Sequence, residues 1–174
     1  EKAYVAKFFD LPPVFLGRLA SDDIRNLEII KRLELECNSG EQILFFACSV
    51  KHSQFICAIM TLLGLKAAHI DGTTPKPRRR TILQRFKDQN INLLCNYGVL
   101  STGFDAPKTS VIFISRPTSS LVLYSQMIGR GLRGTKIGGT DRCKVIDVRD
   151  NIRGFSDQNT VYTFFNEYYE SDVG

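Results

Sequence analysis

The 174-residue sequence lacks the patterns that mark several classes of protein. No apolar run approaches the length of a membrane-spanning helix, and the N-terminus, Glu1 to Val5, has no secretory signal pattern. No two cysteines form a Cys-x-x-Cys pair, and neither His52 nor His69 stands at metal-ligand spacing from a cysteine. These absences argue against a membrane protein, a secreted protein and a metal site. Because the chain does not begin with Met, we expect it to be a piece of a longer protein.

What the sequence does contain is the composition of an ordinary globular domain. Its hydrophobic content of 43% and charged content of 24% are typical, and its length suits a single domain with a sizeable core. The five cysteines lie mostly in apolar stretches, which predicts free, buried thiols in a reducing compartment, the cytoplasm. The net charge of +5 permits an anionic partner but does not require one.

Apolar runs bounded by turn residues alternate with helical patterns along the middle of the chain. The runs at residues 42–48, 66–70, 91–95, 110–114 and 143–148 predict strands, and residues 53–63, 78–88 and 120–132 predict helices. Strands that alternate with helices indicate an α/β fold, an open and mainly parallel sheet with helices on both faces.

The two ends of the chain differ from this middle region. Residues 1–41 predict an extended arm, which contains Leu11 to Pro13, and a lead-in helix capped near Ser21 with its apolar face at Ile24, Leu27, Ile30 and Leu33. Residues 42–151 form the predicted core, and residues 152–174 are an aromatic-rich segment within the same domain. Packing of a terminal helix accounts for these aromatic residues, and a stacking platform for nucleic-acid bases is the alternative.

Hydroxyl groups follow each of the first four predicted strands, and cations are scattered near them. Ser49 to Ser53, Asp71 to Thr74, Asn96 to Pro107 and Ser115 to Ser120 all come at carboxyl ends of strands, where ligands of such sheets collect. Side chains of these types suit sequence-independent contact with a phosphate backbone. Ordinary turns and helix caps account for each loop taken singly, whereas their placement at one edge favours a shared site.

The run from Tyr124 to Gly134 carries two arginines three residues apart, Arg130 and Arg133. On a helical turn both guanidinium groups can face one way, and such paired forks suit a cluster of phosphate oxygens. Gly129 precedes them and leaves room for a close approach by a backbone or a ligand. A basic surface turn is the alternative interpretation of the same residues.

Taken in order, these segments resemble the second RecA-like lobe of superfamily 2 helicases and translocases. Residues 43–49 resemble motif IV, Asp71 to Thr73 with Arg80 and Phe86 resemble the block after it, residues 96–107 resemble motif V and residues 126–133 resemble motif VI. The match runs from about residue 24 to residue 151. The motif sequences Gly-Phe-Asp-Ala-Pro and Gly-Arg-Gly-Leu-Arg are most similar to those of the type III restriction enzyme branch.

This resemblance implies roles for particular residues. Arg130 and Arg133 would reach the γ-phosphate of ATP, one of them as an arginine finger, and Gln126 would support that contact. Nucleotide-site residues would be Gly103, Asp105 and Gly129. Residues that contact the nucleic-acid backbone would be Ser49, Lys51, Thr73, Asn96, Ser101 and Thr102.

The chain has no Gly-x-x-x-x-Gly-Lys-Ser/Thr loop and no Asp-Glu pair at the end of an apolar strand. ATP hydrolysis requires a phosphate-binding loop and a Mg²⁺ site. The resemblance therefore implies a C-terminal lobe that shares ATP and Mg²⁺ with an N-terminal lobe, binds nucleic acid, DNA rather than RNA, and is inactive in isolation. A RecA-like module that binds nucleic acid or protein without catalysis is the alternative function.

Overall fold

The computed structural model describes residues 11–99, 108–118, 120–130 and 142–150. Five strands form one parallel sheet in the order β2-β3-β1-β4-β5. The strands are β1 (Ile43–Phe46), β2 (Ala67–Ile70), β3 (Leu93–Asn96), β4 (Val111–Ile114) and β5 (Lys144–Asp147). Each coincides with a predicted strand, so the predicted parallel α/β sheet is confirmed.

Five helices connect or precede these strands. They are α1 (Pro13–Ala20), α2 (Asp23–Asn38), α3 (Val50–Leu62), α4 (Lys76–Lys87) and α5 (Leu121–Ile128). Leu44, Ile112 and other even-numbered strand residues pack in one apolar cluster with α4 and α5. Ile43, Phe45 and other odd-numbered strand residues pack in a second cluster with α2 and α3. Because successive strand residues point to opposite faces, helices cover both faces of the sheet.

Helix α1 was not predicted, because Pro12 and Pro13 suggested an extended arm. The two prolines instead begin the helix, since Pro13 occupies the first turn, where a missing N–H costs nothing. Leu16 is buried in a small cluster with Leu11 and Cys48. The arm before residue 11 lies outside the described residues.

Helix α2 exists as predicted, but only part of its predicted apolar face packs, since Leu33 is buried and Ile30 lies partly buried against the same cluster. Ile24 and Leu27 are 79% and 51% exposed, whereas Ile29, Leu33 and Cys37 are buried against the sheet. The helix begins one residue later than expected, because the side chain of Asp22 accepts a hydrogen bond from the backbone N–H of Arg25 and caps it. The apolar residues occur on more than one face of this helix, so the spacing alone did not identify the face that packs.

Within the described residues, no helix is both long enough and apolar enough to span a membrane. The cysteines among them, Cys37, Cys48, Cys57, Cys95 and Cys143, are free thiols, and three of the five are buried. The predicted helix after residue 152 lies beyond the described part of the chain.

Candidate functional site

The carboxyl ends of the five strands lie at one edge of the sheet, because all neighbouring pairs are parallel and in register. Ser49 follows β1 at this edge, Asp71 follows β2, Tyr97 follows β3 and Ser115 follows β4. The sheet therefore gathers loops that are distant in sequence, as the alternation of strands and helices predicted.

Ser49 is the N-cap of α3. Its hydroxyl oxygen accepts the backbone N–H of His52 at 3.1 Å. Of the predicted loop from Ser49 to Ser53, only Ser49 lies before the helix. Lys51 is an exposed side chain of the first helical turn. A helix N-terminus presents further unpaired N–H groups and partial positive charge, both of which favour an anion nearby.

The turn after β2 is organised by the carboxylate of Asp71. Its Oδ1 atom accepts the backbone N–H and the hydroxyl of Thr73, at 2.8 and 2.7 Å, and the backbone N–H of Thr74 at 3.0 Å. Arg79 on α4 donates from Nη2 to the Asp71 carbonyl oxygen at 2.7 Å. Thr73 is exposed on this turn, although Asp71 is only 3% exposed. The predicted contact residue therefore lies at the surface of a tightly bonded turn.

The other acceptor oxygen of Asp71 is held by His69. His69 Nε2 lies 3.0 Å from Asp71 Oδ2, and His69 Nδ1 lies 2.7 Å from the hydroxyl oxygen of Ser53. The hydrogen bond from His69 and the bonds from Thr73 lower the pKa of Asp71 well below its ordinary value. Neither His69 nor Ser53 has an individual role in the predictions from sequence; Ser53 ends the predicted loop after β1, and His69 lies two residues before the loop after β2.

Asn96 is placed differently from the predicted phosphate contact. It is the last residue of β3, is fully buried, and donates from Nδ2 to the carbonyl oxygen of Phe45 at 2.9 Å. Contact with a phosphate backbone needs an exposed side chain, so the burial of Asn96 argues against that role. Its amide instead links β3 to the neighbouring β1.

Tyr97 follows β3 and Arg116 follows β4, the strands on either side of β1, and the two side chains contact each other. The guanidinium carbon of Arg116 lies 5.5 Å from the centre of the Tyr97 ring, which is cation–π distance. The sequence pattern does not indicate this pair, because Tyr97 and Arg116 belong to different loops.

Helix α5 carries the described part of the motif VI-like segment. It is capped by Ser120, whose hydroxyl accepts the N–H of Leu123, and it ends at Ile128 rather than continuing to residue 132. Gln126 is half-buried on the helix, and Arg130 is half-buried in the turn after it. A Cβ on Gly129 would lie 3.1 Å from the carbonyl oxygen of Ser125. The absence of a side chain at Gly129 therefore avoids a close contact with the backbone of the same helix.

The remaining predicted site residues lie outside the described part of the chain. They are Ser101, Thr102, Gly103 and Asp105 of the motif V-like loop and Arg133 of the motif VI-like segment. Among the residues that the structure does describe, no three His, Cys, Asp or Glu side chains are grouped to hold a metal ion.

The end of β5 is tied to two helices. The Tyr124 hydroxyl on α5 donates to Asp147 Oδ2 at 2.8 Å, which gives Asp147 a structural role. Arg25 on α2 donates to both carboxylate oxygens of Asp150, at 2.7 and 2.8 Å. Arg25 also donates from Nη2 to the carbonyl oxygen of Ser115, so one side chain joins α2 to the ends of β4 and β5.

Comparison with known proteins agrees with this geometry. Residues 25–135 match the family described as helicase conserved C-terminal domain. A 51.5 kDa protein of Lactococcus phage (isolate 7-9) is 38% identical over 95 residues, which cover 55% of this chain and 21% of the phage protein. A second relative, irc3 of Schizosaccharomyces pombe, named as a mitochondrial ATP-dependent helicase, is 38% identical over 128 residues, or 73% of this chain and 21% of irc3.

Solved structures share the fold at lower sequence identity. The helicase MrfA, solved bound to DNA and AMPPNP, has a TM-score of 0.67 and 20% identity, with 81% of this chain and 20% of MrfA covered. Domain 2 of a DEAD-box helicase, solved bound to an RNA duplex, has a TM-score of 0.57 and 24% identity, with 77% and 50% covered.

A five-stranded parallel sheet with helices on both faces and a helicase C-terminal match defines the class, the RecA-like C-terminal domains of superfamily 2 helicases. The chain belongs to the family of helicase conserved C-terminal domains, which matches more than half of its length. It spans about a fifth of the length of the curated relatives described above.

Proposed function

We propose that the chain is the C-terminal lobe of an ATP-driven nucleic-acid helicase or translocase and works with an N-terminal RecA-like lobe. The observation that carries this proposal is the sheet edge, where the Ser53–His69–Asp71 hydrogen bonds connect the first part of α3 to the Asp71 turn. Ser49, Lys51 and Thr73 supply two hydroxyl groups and one cation there, and such groups bind a phosphate backbone without reading its sequence. The family match supports the same conclusion.

The proposed role of the motif VI-like segment is to bind phosphate charge. Arg130 and Arg133 reach the γ-phosphate of ATP, with Gln126 supporting them, and Gly103 and Asp105 line the same cleft. The phosphate-binding loop and the Mg²⁺ ligands are on the partner lobe. Phosphate binding by the arginines closes the two lobes, and hydrolysis lets them reopen, which is a ligand-driven domain closure.

Arg133→Ala in the intact two-lobe protein tests this assignment. Arginine fingers contribute about 10³ to 10⁵ in rate, so we expect nucleic-acid-stimulated ATPase activity to fall by at least about a thousandfold. Arg18→Ala is the matched control, because Arg18 is an exposed arginine of α1, remote in sequence from the motifs. Normal stimulated ATPase activity in Arg133→Ala would show that Arg133 is not the finger.

The 174-residue chain by itself should hydrolyse no ATP, and turnover by the purified chain would contradict the two-lobe proposal. We further propose DNA as the nucleic acid and the type III restriction enzyme branch as the subfamily. MrfA was solved with DNA and the DEAD-box domain with RNA, so the two substrates must be compared directly. ATPase stimulation by single-stranded DNA and by RNA of matched length makes that comparison.

A further inference from the structure

A chain of hydrogen-bonded side chains links α3 to the turn after β2. Ser53 on α3 contacts His69 Nδ1 at 2.7 Å, and His69 Nε2 contacts Asp71 Oδ2 at 3.0 Å. Asp71 Oδ1 then accepts both the N–H and the hydroxyl of Thr73. Three separate elements, α3, β2 and the turn, thus meet at one imidazole ring.

Both ring nitrogens of His69 have defined roles in this chain. An ionised carboxylate only accepts hydrogen bonds, so Nε2 carries the proton that faces Asp71. In the neutral ring Nδ1 is then an acceptor for the hydroxyl of Ser53. Ser53 is fully buried and Asp71 is 3% exposed, so partners shielded from water fix the orientation of the ring.

The two carboxylate oxygens of Asp71 have different hydrogen-bond partners. Oδ2 is held by His69, whereas Oδ1 accepts four donors, the N–H and hydroxyl groups of Thr73 and of Thr74. A partial rotation of the carboxylate would move Oδ1 away from these donors and disturb the turn, and the bond from His69 to Oδ2 opposes that rotation. The Thr73 hydroxyl can turn outward to a phosphate oxygen, because Oδ1 keeps its three other donors.

We propose that His69 is a positioning residue that holds Asp71 so that the turn presents Thr73 to a nucleic-acid phosphate. This assignment rests on the proposed nucleic-acid function. Substitution of His69 should therefore change the affinity for nucleic acid, because His69 sets the geometry of a contact residue. It should leave ATP hydrolysis unchanged, because no contact between His69 and ATP is proposed.

Two substitutions at His69 separate its hydrogen bond to Asp71 from its hydrogen bond to Ser53. The amide nitrogen of glutamine can take the place of Nε2, so His69→Gln keeps the donor to Asp71. The amide of asparagine takes the place of Nδ1, so His69→Asn keeps the contact with Ser53 and loses the one with Asp71. Lys66→Gln is the control, because Lys66 is exposed and precedes the amino end of β2.

The measurements, made on the intact protein, are the Kd for a single-stranded oligonucleotide by fluorescence anisotropy, kcat of the stimulated ATPase, and Tm. We expect His69→Asn to raise Kd by about tenfold, because it loses the charge-assisted hydrogen bond to Asp71. The kcat at saturating nucleic acid should be unchanged. His69→Gln and Lys66→Gln should stay within about twofold of the wild type.

Wild-type Kd in His69→Asn would overturn the assignment, and so would equal weakening in both His69 variants that follows their loss of Tm. If His69→Asn does not fold, Ser53→Ala probes the chain from its other end. It should raise Kd by about threefold, and an unchanged Kd would again overturn the assignment. A wild-type protein that binds neither DNA nor RNA would instead refute the proposed function itself.

Discussion

Arg25 and Asp150 are 125 residues apart in sequence and form a bidentate ion pair, with Nε–Oδ1 and Nη2–Oδ2 distances of 2.7 and 2.8 Å. Their side chains are only 7% and 11% exposed. Arg25 belongs to α2, which precedes the sheet, and Asp150 lies just after β5, the last strand to join it. The pair therefore fastens the lead-in helix to the point where the chain leaves the sheet.

Arg25→Met should destabilise the fold strongly, because it leaves the Asp150 carboxylate buried without its partner. Removal of one member of a buried ion pair costs about 3–5 kcal/mol in the free energy of unfolding. Lys31→Met is the control on the same helix, since the Lys31–Glu28 pair is 60% and 67% exposed and should contribute less than about 1 kcal/mol. Urea unfolding of both variants makes the comparison, and equal losses would contradict the role given to Arg25.

His52 should make stability depend on pH. Burial, followed by the charge of Arg25, lowers the pKa of His52 from 6.5 to about 4. Between those pH values the unfolded chain binds a proton that the folded chain does not, so stability is complete above pH 6.5 and falls as pH decreases towards 4. The loss should reach about 3 kcal/mol.

His52→Asn is the variant that tests this dependence. The backbone N–H of Cys48 donates to His52 Nδ1 at 3.2 Å, and an asparagine oxygen can accept the same bond without titrating in this range. The difference in unfolding free energy between wild type and variant should therefore change between pH 7 and pH 4. If the two proteins lose stability in parallel, the buried neutral histidine is not the cause.

The strands were predictable because each is an apolar run bounded by turn residues, as Ile43 to Phe46 shows. The start of α3 was placed too late, because the hydroxyl of Ser49 reads equally well as a loop residue and as a cap. The sequence pattern places Asn96 at the start of a loop, although it is the last residue of β3 and its amide bonds within the sheet. Polar residues at a strand end do not reveal from sequence alone on which side of the boundary they lie.

Contacts between distant segments were beyond the reach of sequence patterns. Nothing near Arg25 indicates Asp150 as its partner, and the spacing of Ile24 and Leu27 on α2 pointed to a face that the structure leaves exposed. The His69 bonds to Ser53 and Asp71 are of the same kind, because they depend on how α3 packs beside β2. The sequence pattern identified the helices and strands, whereas tertiary packing determines which of their residues contact one another.

Tyr124→Phe should weaken the attachment of α5 to β5. The substitution removes the hydroxyl that donates to Asp147 Oδ2 at 2.8 Å while it keeps the ring, which is 5% exposed. Loss of this partly buried hydrogen bond to a charged group should cost about 1.5 kcal/mol, the lower end of the range for such bonds. Asp147→Asn is the matched control, because its amide oxygen still accepts from Tyr124, and thermal unfolding should show a smaller loss in that variant.

Ser49→Asp separates the capping role of Ser49 from its proposed contact with phosphate. Aspartate caps helices about as well as serine, so the free energy of unfolding should stay within about 0.5 kcal/mol of the wild type. The added negative charge opposes a nearby phosphate and should raise the Kd for single-stranded nucleic acid about fivefold or more. Ser120→Asp is the control, because Ser120 caps α5 in the same way and is not one of the three proposed phosphate contacts, Ser49, Lys51 and Thr73. Unchanged affinity in Ser49→Asp, in a protein whose wild type binds nucleic acid, would leave Ser49 with the capping role alone, whereas a loss confined to Ser49→Asp would place the phosphate backbone at the N-terminus of α3.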